Sequence, residues 1–193
     1  MRKKVSPRDR WADWAVVGVV IVALLLGWAL KAKAEGKTLS YSNDGVAVRY
    51  PDGWLLDEKA GYIVKVSDPN SGRFRTTYLV QAEAIDPGTA EITALTTLLN
   101  NVSLSRAQTT TAYKLFQVDQ VQVRGKSGVR AAYVYVEGKP DPFRESLPVV
   151  VEGVDYAFVE GGKAYVFTLL AAEPNFAAAE KRFISFLESA EIR

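Results

Sequence analysis

The chain has 193 residues, with 24 basic and 22 acidic side chains and a net charge of +2, and it contains neither histidine nor cysteine. That excludes Ser-His-Asp and Cys-His catalysis, His- or Cys-ligated zinc, thiolate iron–sulfur clusters and disulfides. The charge is unevenly spread: residues 34–193 hold 17 basic and 20 acidic groups, so the main body is mildly acidic and nucleic acid is not an expected partner.

Residues 1–10 form a basic head, MRKKVSPRDR. Trp14 to Leu30 follows without a charge, and a helix starting at Trp11 would match the thickness of a bilayer core. The segment reads as a retained signal anchor over residues 11–30. The small-x-small triplet Ala32-Lys33-Ala34 carries the competing reading of a cleaved signal peptide, but the apolar run exceeds the usual length of one. More Lys and Arg precede the segment than closely follow it, so the N-terminus is expected in the cytoplasm, with the main domain outside a plasma membrane. Trp11, Trp14 and Trp28 suit the two membrane interfaces, and Asp13 a hydrated inner boundary. Ala23 and Gly27 form a small-xxx-small pair for close approach of a neighbouring helix.

Residues 31–40 read as a linker, and 41–193 as one extracytoplasmic domain. Asn43-Asp44-Gly45 signals a turn, and Val46–Tyr50 alternates as a strand ended by Pro51. Trp54 is expected to anchor packing. Tyr62–Ser67 and Arg75–Ile85 read as the next two strands of an antiparallel meander. Asp86-Pro87 predicts a helix start, with Ile92, Leu95, Leu98, Leu99 and Val102 on its inner face. Residues 103–113 are polar and predict a loop. Phe116–Val123 and Val129–Val136 flank a Gly-rich turn at 124–128. Its Gly125-Lys126-Ser127 is not a phosphate loop, because Gln120 stands where that motif needs its first glycine.

Residues 137–148 read as a proline-containing loop. Its Asp141, Arg144 and Glu145 are candidate partner-docking residues. Val149–Val159 and Ala164–Ala171 predict a hairpin, and Pro174 opens a final amphipathic helix through Phe176, Ala179, Phe183, Ile184, Leu187 and Ala190. Tyr133, Tyr135, Tyr156, Phe158, Tyr165 and Phe167 alternate as sheet-packing aromatics. The carboxylates Asp52, Asp57 and Glu58 match no calcium cage. The predicted order is three strands, a helix, four strands, a helix. This is an α+β fold, an antiparallel sheet with helices packed on it, preceded by one transmembrane helix.

The run Tyr41-Ser42-Asn43-Asp44-Gly45 with Val46-Ala47-Val48-Arg49-Tyr50-Pro51-Asp52-Gly53-Trp54 resembles the opening of PsbP-like domains, where a strand leads into a Tyr-Pro-x-x-Trp turn. The resemblance covers about residues 39–192 and implies an α/β/α sandwich. It also implies a non-enzymatic accessory role beside a membrane complex of electron transport or photosynthesis. The apolar segment adds integral-membrane subunits and lipid as expected partners, and no cofactor is expected. The manganese–calcium association of the best-known members is not carried over, because this chain has no histidine. The alternative expectation is a membrane-tethered binding module for a small ligand or soluble partner.

Overall fold

The computed structural model describes residues 14, 16–28, 37–58, 61–138 and 147–193. The basic head, Trp11, most of the expected linker and the three docking residues Asp141, Arg144 and Glu145 lie outside them. The chain divides into two compact units, Met1–Leu39 and Ser40–Arg193.

In the first unit, residues 16–28 form helix α1. Every residue is apolar and every one is exposed, the large side chains ranging from Val17 at 47% to Trp28 at 72%. Thirteen helical residues cover roughly 20 Å. No helix among the described residues is long and apolar enough to cross a membrane. The expected span over 11–30 is therefore longer than the helix described, because residues 11–13, 15, 29 and 30 fall outside it.

The second unit is built on two sheets. A small one has the order β1 (Thr38–Asn43), β2 (Val46–Pro51), β10 (Glu191–Ile192). The large one has seven strands in the order β3 (Leu55–Leu56), β4 (Val64–Ser67), β5 (Thr77–Ala84), β9 (Lys163–Ala172), β8 (Val149–Glu160), β7 (Lys126–Glu137), β6 (Thr111–Val123). Every neighbouring pair in the large sheet is antiparallel. Helix α2 (Glu91–Thr109) packs on one face of it and α3 (Glu173–Glu188) on the other.

Alternation along the strands creates two apolar faces. On β9, Tyr165, Phe167, Leu169 and Ala171 join Ala179, Phe183, Phe186 and Leu187 of α3. The intervening Ala164 and Val166 join Leu95 and Leu99 of α2. Strand β2 works the same way: Val46, Val48 and Tyr50 are buried into the α3 cluster, while Arg49 faces out. Trp54 is the packing anchor expected of it. Its ring lies 4.5 Å from Tyr78, whose ring is 5.0 Å from both Phe183 and Phe186. The β8–β9 hairpin turns on Gly161 and Gly162 at φ 57° and 77°, a left-handed pair that suits the twist of the strands.

Five expectations change. The strand over Val46–Tyr50 is not part of a meander with the next two, because it pairs with β1 and β10 in the small sheet. The end of the expected linker, Thr38–Ser40, belongs to β1. The turn before β7 is two residues, Arg124-Gly125, not five, since Val123 already pairs with Lys126. Helix α2 begins at Glu91, and Asp86 instead closes a local turn, accepting from the Gly88 amide at 3.0 Å on its carboxylate and from the Thr89 amide at 3.1 Å on its carbonyl. Residues 103–109 are helix rather than loop. Polar composition hid that extension: Ser103 and Arg106 continue the stripe of Leu95 and Leu99 and find polar partners inward.

Candidate functional site

Helices α2 and α3 are each fastened to the sheet by an arginine–carboxylate pair. On the α2 face, Asp155 of β8 is 1% exposed. Arg106 of α2 grips it end-on, with Nη2 donating to Oδ1 at 3.2 Å and Nη1 donating to Oδ2. Thr168 Oγ1 on β9 donates to Asp155 Oδ1 at 2.6 Å, and the Tyr133 hydroxyl on β7 donates at 3.4 Å. Asp155 pairs directly with Thr168 across the β8–β9 ladder, which brings these two side chains together.

The guanidinium of Arg106 also lies 4.5 Å from the Tyr133 ring centroid, a cation–π placement. Tyr133 stands opposite Gly153 on β8, and its ring fills the space a side chain there would need: a Cβ on Gly153 would sit 2.3 Å from the ring. Beyond it, the Tyr113 ring stands 5.5 Å from Tyr133, and the Tyr113 hydroxyl is hydrogen-bonded to Ser103 of α2. Burial and the Asp155 charge hold the Tyr133 hydroxyl well above the ordinary tyrosine range. Burial lowers the affinity of Arg106 for its proton, and Asp155 more than restores it, so the guanidinium stays charged.

The opposite face reverses the polarity. Glu180 of α3 receives Arg130 Nη2 at 3.0 Å, and Arg130 Nε donates to the Tyr156 hydroxyl at 3.2 Å. Among the described residues no buried side-chain polar atom lacks a partner. The polar groups of the interior are thus matched to one another.

Arg106 has a second aspect. Its side chain is 22% exposed and lines a cleft of about 360 Å³ between α2 and the sheet. Leu98 and Val102 form the helix wall, and Leu79, Val166 and Leu170 from β5 and β9 form the floor. Gln81, Glu83, Ser105, Thr110, Tyr62 and Tyr135 complete the rim. Gln81 Nε2 donates to the Gly61 carbonyl at 3.3 Å, tying down the segment that carries Tyr62. Burial pushes the Tyr135 hydroxyl up to about 12, so it is a neutral donor at physiological pH. The chemistry this arrangement offers is apolar contact and hydrogen bonding. Among the described residues, no group of three carboxylates stands together as a metal site.

The residues singled out from sequence fall elsewhere. Trp14 and Trp28 are exposed on the first unit, as are Ala23 and Gly27, which lie four residues apart and so share one helix face. Asp141, Arg144, Glu145 and Trp11 lie outside the described residues. Asp57, of the acidic group near Trp54, pairs with Lys65 at 2.9 Å. The aromatics expected to pack do so: Phe158 and Phe167 stack at 5.6 Å, and Tyr135 is buried beside Tyr133 and Val151 while one side of it lines the cleft. Sequence reasoning missed Asp155 and Arg106. The signal for Asp155 was its inward register in the apolar run 149–159, between Gly153 and Ala157. A buried aspartate demands a cation, and Arg106 sits eleven residues after Leu95 on the same helical stripe.

Among solved structures, the solution structure of cyanobacterial PsbP (CyanoP) from Synechocystis sp. PCC 6803 matches at a TM-score of 0.60, with 16% identity, covering 81% of this chain and 92% of that one. The fold is PsbP-like. LpqN, involved in cell envelope biogenesis of Mycobacterium tuberculosis, aligns at 0.48 with 13% identity over 81% of this chain and 90% of its own. The Ran-binding protein Mog1p of Saccharomyces cerevisiae aligns at 0.48 with 11% identity over 81% and 95%. No family model and no curated protein sequence matches the chain. The PsbP-like domain here is thus recognised by its shape: helices on both faces of a large antiparallel sheet.

Proposed function

We propose that the chain is a non-catalytic, single-pass accessory subunit of a membrane protein complex, its PsbP-like domain bracing partner subunits outside the plasma membrane. The observation that carries the reading is α1, apolar at every described position, with all its side chains exposed. Such a surface is unfavourable in water and favourable in lipid or against other apolar helices. The excess of Lys and Arg in residues 1–10 favours a cytoplasmic N-terminus. The Ala23–Gly27 face is then the place where a partner helix packs. The arginine–carboxylate pairs Arg106–Asp155 and Arg130–Glu180 fasten the two helices of the domain to its sheet, which supports a scaffold rather than a catalyst. An electron-transport or photosynthetic complex is the proposed host, on likeness to cyanobacterial PsbP.

Alkaline carbonate washing of native membranes, followed by native electrophoresis in mild detergent, tests the proposal. The chain is expected to stay in the membrane pellet and to migrate with a larger assembly. Release by the wash overturns the anchor, and migration solely as a free monomer overturns the accessory role.

A further inference from the structure

We propose that the cleft between α2 and strands β5 and β9 is a binding site for a small neutral amphipathic molecule carrying a hydroxyl or carbonyl group. Three observations lead there. The cleft is a half-open groove of about 360 Å³, within the size range of small-molecule sites. Its floor and helix wall are apolar: Leu79 and Val166 are buried at its base, with Leu98, Val102 and Leu170 beside them. That is the surface a short alkyl or ring body covers. At one end lies Arg106, a group with five N–H donors, whose hydrogen bonds among the described residues go to Asp155 alone. Donors remaining on a partly exposed guanidinium can meet an acceptor on a bound molecule.

Charge selects the class. Arg106 is already neutralised by Asp155, and among the described residues the other charged side chain lining the cleft is Glu83. An anion would meet Glu83 without a free cation to offset its lost hydration. A cation would meet the guanidinium. A neutral acceptor with an apolar body loses least on entry and uses both halves of the lining. The site does not depend on whether α1 lies in a bilayer.

The test uses the full chain in mild detergent, irradiated with a diazirine-bearing decanol, and maps labelled peptides by mass spectrometry. Labels are expected on α2 around residues 98–106 and on β9 around 166–170. Excess decanol should suppress them, and decanoate should do so at least about tenfold less effectively. Labelling of α1 serves as an internal measure of partition into the detergent phase. Val102→Trp, which fills the cleft from the helix wall, should remove the cleft labels and keep those on α1. Leu98→Trp supplies the same obstruction one turn away, should the first variant lose its circular-dichroism signature. Absent cleft labels, labels unchanged in a folded cleft-filling variant, or decanoate competing as well as decanol would each overturn the proposal. Failure of the carbonate wash would overturn the anchor and leave this result standing.

Discussion

Arg106 and Asp155 lie 49 residues apart and meet end-on between α2 and the centre of the sheet, one partly exposed and the other almost completely buried. Their separation across the fold makes the pair a clasp between two layers rather than a local bridge. Removing one partner of such a pair strands the other. Arg106→Ala is expected to cost about 3–5 kcal/mol in chemical denaturation, and Asp155→Ala a similar amount. The double change Arg106→Met with Asp155→Leu should cost less than the sum of the two, because no charge is left unpaired. Additive losses would show that the two side chains do not act together.

Gly153 and Tyr133 make a second test. The ring occupies the place of the missing side chain, so Gly153→Ala must displace it. Overpacking of this kind costs about 1–3 kcal/mol. The penalty should shrink in a Tyr133→Ala background, where the space is open. An equal penalty in both backgrounds would mean that the ring does not depend on that glycine.

The helix-facing residue Glu152 gives a pH signature. Burial raises its pKa, and the nearby charges of Glu173 and Glu180 raise it further. A carboxyl with a raised folded pKa binds its proton more tightly when folded. Its destabilising effect is absent below the ordinary glutamate range and grows as pH rises through the folded pKa. Glu152→Gln should therefore raise the melting temperature at pH 7 and lose that advantage near pH 4. Thermal melts at the two values check it, and a gain confined to acid would contradict the sign.

Alkali should act through tyrosine. Burial pushes Tyr78 and Tyr135 up to about 12 from the ordinary 10. Both favour the neutral form in the folded state, so stability should fall as pH rises from about 10 towards 12. Absorbance at the phenolate band, followed together with circular dichroism, should show part of the tyrosine titration coinciding with unfolding.

Gly27 lies open: a Cβ there meets nothing within 4 Å in this chain. Gly27→Ile and Ala23→Ile should thus leave the isolated protein intact while reducing co-purification with partner subunits. Unchanged co-purification would remove this face from the proposed contact.

The parts of the fold legible in the sequence were those stabilised locally. The β8–β9 hairpin announces itself through Gly161-Gly162 between alternating strands, and α3 through Pro174 and the spacing of Ala179, Phe183 and Leu187. Strands β3 and β10 are two residues each, too short to carry a pattern, and exist by pairing with β4 and β2. The last turns of α2 are polar because they face Asp155 and Tyr113, which a rule based on apolar spacing reads as loop. The same rule hid the cleft, because Leu98 and Val102 read as core residues whether or not the sheet beneath them is fully covered.

The place of β9 carries a consequence for how the chain reaches its native state. It lies between β5 and β8, and Thr77 pairs with Leu170 while Ala84 pairs with Lys163. As the chain emerges from the ribosome, β3, β4 and β5 must wait for β9 before they can join the sheet. Strands β6, β7 and β8 can assemble earlier, through the turn at Arg124-Gly125 and the contacts of β7 with β8. The early strands thus spend the interval with one edge unpaired, and closing so long a loop slows the final docking. During biogenesis the segment of the large sheet most exposed to mispairing is β3–β5, made well before its partner β9, and a holding chaperone would act there.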